Sequence, residues 1–384
     1  MLLTNGYLHP VDEPDIPWGF VAFEGGKITA VGAMDELPAD YDGETVDLAG
    51  AHVCPGFIDA HCHLGVFGSA LGFEAEDANE ATDPVTPHLR ILDAVNPLDR
   101  YFSEARAAGV TTVMTLPGSA NAVCGQGVIL KTAGRWVDEM VVAAPACMKM
   151  ALGENPKVVY NDRKEGPVTR MATAALIRES LSKEAEYRKK QEKTAADPEE
   201  DAPEFDAKLE ALLPVLEKKL PVHIHAHRAD DIATALRICR EFDLNVVIVH
   251  GTEGHLIPGL LAQAGAPVIT GPALGDRSKP ELARMTLENP AVLQRAGVDI
   301  AICTDHPEVP IQYLPLCAAL AVKGGLDEEA ALAAITINAA RIAGLEGTLG
   351  SLTPGKEADV VVTSRHPLEL LGSVRAVLMG GRRI

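Results

Sequence analysis

Between residues 55 and 306 short apolar runs alternate with helical patterns, and that rhythm leaves few architectures open. "GFIDAHCH", "GVTTVMTLP", "ACMKMALG", "PVHIHAH", "NVVIVHG", "APVITG" and "VDIAICTDH" have the length and β-branched content of buried strands. "YFSEARAAG", "DDIATALRICREFD" and "ELARMTLENPAVLQRAG" lie between several of them and read as helices. Strands alternating with helices imply βα units and a parallel sheet. With polar residues gathered at the strand ends, the reading is a (β/α)8 barrel, a fold of typically ~250 residues plus insertions. An open doubly wound sheet is the alternative, and no G-x-G-x-x-G fingerprint supports it.

The two ends have a different character. "MLLTNGYL", "GFVAFEGGKITAVG" and "ETVDLAGAHVC" at the start match "ADVVVTS" and "VRAVLMGGRRI" at the finish as short β-prone runs. Single hairpins are marginal alone, so residues 1–54 and 350–384 are expected to build one small β-sandwich around the barrel at 55–349. A charged stretch from about 163 to 219 reads as a solvated excursion of two exposed helices joined by an acidic, Pro-containing turn.

Composition excludes some partners. The net charge of -20 argues against nucleic acid or an anionic membrane, both of which require clustered Lys and Arg. No apolar run reaches the roughly 20 residues of a membrane span, and no leader-like segment opens the chain. Seven scattered cysteines without a C-x-x-C pair read as reduced thiols in a cytoplasmic protein. The expected partner is a small-molecule substrate, with a homo-oligomer left open.

The chemistry sits at the strand ends. Alternation puts Phe57, Asp59, His61 and His63 on one face and Ile58, Ala60 and Cys62 on the other, towards the helices. An H-x-H pair alone is a weak metal signal. "VHIHAH" adds His223, His225 and His227 on one face of a later strand, "NVVIVHG" ends in His250, and "IAICTDH" carries Asp305. Imidazoles and a carboxylate at the open end of one barrel suit a divalent metal, zinc above all, and metal-assisted hydrolysis.

With these residues the chain resembles the amidohydrolase superfamily over nearly its whole length. "PGFIDAHCHLG" is similar to the family's first-strand signature, and "AITINAARIAGL" and "LGSLTPGKEADVVV" to its passage from barrel back to sandwich. The resemblance implies His61 and His63 as strand-one ligands, His225 on strand five, His250 on strand six, and Asp305 as ligand and catalytic proton acceptor. His225 is preferred to its neighbours because "HAHRADDI" resembles the "HAHG" segment of prolidase-like members. His223 then lies deeper, and His227 sits at the rim near substrate.

Lys149 in "ACMKMALG" matches the lysine that binuclear members carboxylate to bridge two ions; with it the site holds two metals, without it one. The deaminase and imidazolonepropionase pattern H-x-x-E on strand five is missing, because Arg228 and Asp230 follow His225 and His227 at that spacing. That favours hydrolysis of a linear or cyclic amide (dipeptide, N-acyl amino acid or lactam-like ring) over deamination. A non-catalytic barrel serving as a binding module is the reading from another class. Loops at the open end offer His88, Arg90, Arg277, Asn155 and Lys157 as substrate contacts. His255 and His306 are expected beside the site, and Asp59 beneath it.

Overall fold

The computed structural model describes residues 1–38, 41, 43–68, 72–197 and 199–384. Its centre is a near-closed barrel of eight strands: β1 (Phe57–Cys62), β2 (Val110–Thr115), β3 (Val123–Lys131), β4 (Val141–Ala151), β5 (Val222–Ala226), β6 (Val246–His250), β7 (Val268–Thr270) and β8 (Ile300–Ile302). From β4 to β8 every neighbouring pair is parallel and in register, with His223 beside Lys149 and His225 beside Val249. The chain past β8 bonds back to β1, Asp305 N donating to His61 O (3.2 Å) and His63 N to His306 O (2.8 Å).

One strand departs from the expected pattern. β3, which the apolar rhythm did not mark, runs antiparallel to both β2 and β4. The chain turns back from β2 through residues 116–122, and only the four-residue helix Val137–Met140 intervenes before β4. Parallel neighbours need a crossover of a dozen or more residues, and no such crossover fits between these strands.

The face assignment in β1 is also corrected. Ile58 and Ala60 pack inside the barrel with Val247, Val249, Ile269, Ala301 and Cys303, while Phe57 and Cys62 join the core outside it. The pairing of β1 with β2 shifts between Asp59 and Cys62. The Asp59 carboxylate accepts from the amide of His61, two residues on (3.2 Å), a local bond of the kind that turns a backbone. That irregularity brings His61 and His63 to the mouth although simple alternation would place them with Phe57.

Between β4 and β5 lie α1 (Arg170–Ala196) and α2 (Ala207–Leu216). Thr169 caps α1 by accepting from Ala172 N, and Asp206 caps α2 by accepting from Lys208 N and Leu209 N. The expectation of two helices is met, but they are not a solvated excursion. Ala174, Ile177, Leu181, Leu212 and Val215 enter the main core. Arg170 and Arg178 pair with Asp231 and Glu241 of α3 (Ala229–Phe242), the helix after β5. Pro198, in the turn between α1 and α2, lies outside the described residues.

The second sheet takes strands from residues 2–55 and 360–383. It is one hydrogen-bonded sheet of eight strands that curls back on itself, its edge strand Lys27–Ala33 bonding to the stretch that leads into the interior strand Val360–Thr363: Ile28 N donates to Lys356 O (2.9 Å) and Ala358 N to Gly26 O (3.0 Å). Leu3, Val21, Phe23, Ile28, Val53, Val360 and Leu378 fill its interior. Lys131, at the end of β3, ties barrel to sheet through Glu357 and Asp359, both at 2.7 Å. No helix among the described residues is long and apolar enough to cross a membrane, and all seven cysteines are buried thiols.

Candidate metal centre

Parallel strands end on one side of the barrel, so the last residues of β1, β5, β6 and β8 converge. Two groups result, His61 with His63 and Asp305, and His225 with His227 and His250. Within each, the potential ligand atoms lie within 4.8 Å of one another. Asp305 Oδ1 is 3.1 Å from His61 Nε2 and 3.4 Å from His63 Nε2. The ring centroids of His61 and His250 are 5.3 Å apart, so the two groups adjoin.

Several rings are held by one nitrogen and present the other. His63 Nδ1 donates to Leu116 O (2.8 Å), His250 Nδ1 donates to Gly271 O (2.7 Å), and His227 Nδ1 lies 2.7 Å from Thr252 Oγ1. Such anchoring fixes tautomer and orientation in metal-ligating histidines. His225 has both nitrogens buried without a hydrogen-bond partner, as has His61 at Nδ1. Unsatisfied buried nitrogens are rare unless something else engages them. The two groups fit a binuclear divalent-metal site.

Electrostatics agree with ligation. Burial first, then the charges of His250, Lys279 and Lys149, holds His225 well below the usual histidine range. Burial likewise lowers His250 to about 4. Neutral imidazole is the form that binds a cation. Burial alone would raise Asp305, but His250, His61 and His63 together keep it well below the ordinary carboxylate range, and so ionised. Lys149 is fully buried 3.4 Å from His61 Nε2, and burial lowers its pKa.

The backbone contributes too. His250 and Asp305 have φ of 70° and 54°, in the left-handed region. By register Val249 faces inward beside His225, so continued extension would send His250 outward; its positive φ returns it to the mouth.

The other expected residues are dispersed. His223, opposite Lys149, lies deeper with both ring nitrogens unpartnered. Asp59 binds Thr304 and the His61 amide instead of a ligand ring. His306 packs on Tyr101 and accepts from Ile311 N, and His255 Nδ1 donates to Thr252 O. Arg90 is exposed and paired with Asp93, and His88 is half-buried; neither borders the open cavity. Arg277 donates to Met285 O and borders a neighbouring cavity beyond the β7 loop. Asn155 does border the site, whereas Lys157 lines a cleft by Arg170 and Arg228. Of the long loop after β1, residues 69–71 lie outside the described residues.

The open cavity holds about 520 Å³, and its walls include His63, His225, His227, His250, Asp305 and Lys279. Glu281 and Lys279, both at the site, carried no signal in the sequence. Glu281 is 1% exposed; its Oε1 lies 3.6 Å from His227 Nε2, 3.8 Å from His225 Nε2 and 2.8 Å from Lys279 Nζ. Its Oε2 accepts from Glu154 N (3.0 Å). Gly153 makes that approach possible: it has φ +90°, and a Cβ there would come within 2.9 Å of the carboxylate. In "SKPEL" nothing local distinguishes a buried acid from a surface one.

Residues 52–382 match the amidohydrolase family. The chain belongs to that family, and it is an enzyme acting on carbon–nitrogen bonds. It is 30% identical over 91% of its length to the amidohydrolase tasK of Hapsidospora irregularis, spanning only 38% of that relative. It is 28% identical over its full length, and the relative's, to an imidazolonepropionase of Paracoccus denitrificans. Among solved structures, an amidohydrolase from Thermotoga maritima MSB8 superposes with TM-score 0.96 at 45% identity, covering 100% of this chain and 99% of that one. A Xaa-Pro dipeptidase with bound methionine shares the fold alone, at TM-score 0.60 and 17% identity, covering 100% and 99%.

Proposed function

We propose that the chain is a metal-dependent hydrolase of a small linear or cyclic amide, with His61, His63 and Asp305 holding one divalent ion, zinc by preference, and His225 and His250 holding a second. The observation that carries this reading is the juxtaposition at the barrel mouth of two groups of potential ligands, His61 with His63 and Asp305 and His225 with His227 and His250, three of whose rings are anchored through Nδ1. Lys149 is proposed to join them as a carbamate: its neutral amine adds to carbon dioxide, releases one proton, and becomes an anionic two-oxygen ligand. The ions supply the Lewis acidity that makes water nucleophilic near neutral pH and polarises a carbonyl.

In this reading the chain's own groups orient and move protons. Asp305, held ionised, accepts the proton of the attacking water at a carboxylate oxygen and returns it to the leaving nitrogen. Asn155 and Lys279, at the cavity wall, hold the polar end of the substrate, and Lys279 suits a carboxylate. The names of the relatives, imidazolonepropionase and Xaa-Pro dipeptidase, support a cyclic amide and a dipeptide as the classes to test first. Glu281 against the strand-five histidines favours a second reading, deamination, because it brings a carboxylate near the place where the sequence lacks one. Metal-loaded protein screened against cyclic amides, dipeptides, N-acyl amino acids and amino-heterocycles separates them: a new carboxylate supports hydrolysis, ammonia supports deamination. Protein that neither holds nor takes up divalent metal sinks both.

A further inference from the structure

Glu281 is out of place as a mere surface acid. It reaches the centre from the loop after β7, is buried, and directs Oε1 at the two Nε2 atoms of His225 and His227. Both nitrogens of His225 lack a hydrogen-bond partner, and the nearest cationic partner of Glu281 Oε1 is Lys279 Nζ at 2.8 Å. His227 and His250 are each anchored through Nδ1, leaving Nε2 towards the same space. Ligand atoms about 2.0–2.2 Å from a tetrahedral ion stand about 3.3–3.6 Å from one another. The 3.6 and 3.8 Å separations from Glu281 to the two imidazoles therefore need only small adjustment.

We infer that Glu281 and His227 complete, with His225 and His250, the ligand set of the second cation. This rests on the metal-dependent reading above and deepens it. His227 becomes a ligand instead of a substrate contact, and the second ion gains an anionic ligand that does not depend on Lys149. A divalent ion among three neutral imidazoles keeps its full charge in a buried site; one carboxylate offsets half of it. Lys279 competes for the same oxygen, and Asn155 Oδ1, 2.8 Å from Lys279 Nζ, holds the lysine when Glu281 turns to the ion.

The test is metal binding, read without turnover. Protein stripped with a chelator is titrated with Zn²⁺ by calorimetry and with Co²⁺ by visible absorption. Wild type is expected to take two ions. Glu281→Gln keeps the side chain's shape and its acceptor for Glu154 N; it should bind the first ion unchanged and the second at least tenfold more weakly, with an altered Co²⁺ spectrum. Lys279→Met, which removes the competitor, should bind the second ion at least as tightly as wild type. Wild-type affinity and spectrum for both ions in Glu281→Gln would overturn the inference. A wild type that takes only one ion overturns it too but leaves the Asp305 group standing. A wild type that takes none overturns the hydrolase reading as well.

Discussion

His250, the last residue of β6, and Asp305, three residues past β8, have positive φ, a conformation that costs a non-glycine residue of order 1 kcal/mol and collects at functional sites. Here the reason is visible: an extended His250 would face away from His225. Asp305 is the most exacting residue of the centre, since it contacts both His61 and His63 and is assigned the proton transfer. Asp305→Asn keeps the size and the hydrogen-bond acceptor but removes the charge. Turnover should fall by about 10²–10⁴-fold, the usual worth of a positioned acid–base group, with the circular dichroism spectrum unchanged. Steady-state rates within threefold of wild type would remove Asp305 from its assigned role.

At the scale of elements, helix α1 carries a cost that can be measured. Glu184 is fully buried in it, neither carboxylate oxygen has a hydrogen-bond partner, and burial pushes its pKa up to about 7 from 4.5. A carboxyl raised in the folded state binds its proton more tightly there than in the unfolded chain. Its favourable contribution is therefore present below about pH 4.5 and lost as pH rises towards 7. Each pKa unit is worth about 1.4 kcal/mol, so the loss is on the order of 3 kcal/mol. Glu184→Gln cannot titrate. Urea unfolding at pH 5 and pH 8 should show wild type weakening relative to the variant at the higher pH; parallel stabilities at both would contradict this. The same helix shows how patterning misleads. Its charge suggested a solvated arm, yet the apolar residues interspersed along it enter the main core, because β4 and β5 need a covering layer as every parallel pair does.

The whole molecule couples the site to its stability. The two groups of potential ligands come from β1, β5, β6 and the segment after β8, so an ion bound there would link segments distant in sequence and bind the folded state alone. A ligand at a hundred times its Kd stabilises by about 2.7 kcal/mol. Exhaustive chelation should lower Tm, and stoichiometric Zn²⁺ should restore it; a Tm indifferent to both would exclude a structural contribution from the metal. The curled second sheet is a further case of long-range closure, with Lys131 of the barrel facing Asp359 and Glu357 beside the sheet's final strands.

The one-dimensional pattern determined the barrel, the joining of both ends in one sheet, and the side of the barrel on which His61, His63, His225, His250 and Asp305 gather, because strand length and the polar residues ending apolar runs are local properties. Tertiary structure decided the rest. The reversal of β3 depends on how the β2–β4 connection closes. The turning of His61 and His63 to the mouth, on a strand whose Ile58 and Ala60 also face inward, depends on a register shift beside Asp59. The grouping of His227 with His225 and His250 depends on the Thr252 contact and the backbone turn at His250. Glu281 arrives across the barrel mouth from a loop, and its burial depends on Gly153, some 130 residues earlier. Contacts between such distant residues leave no periodicity in the chain, so only the folded packing could reveal them.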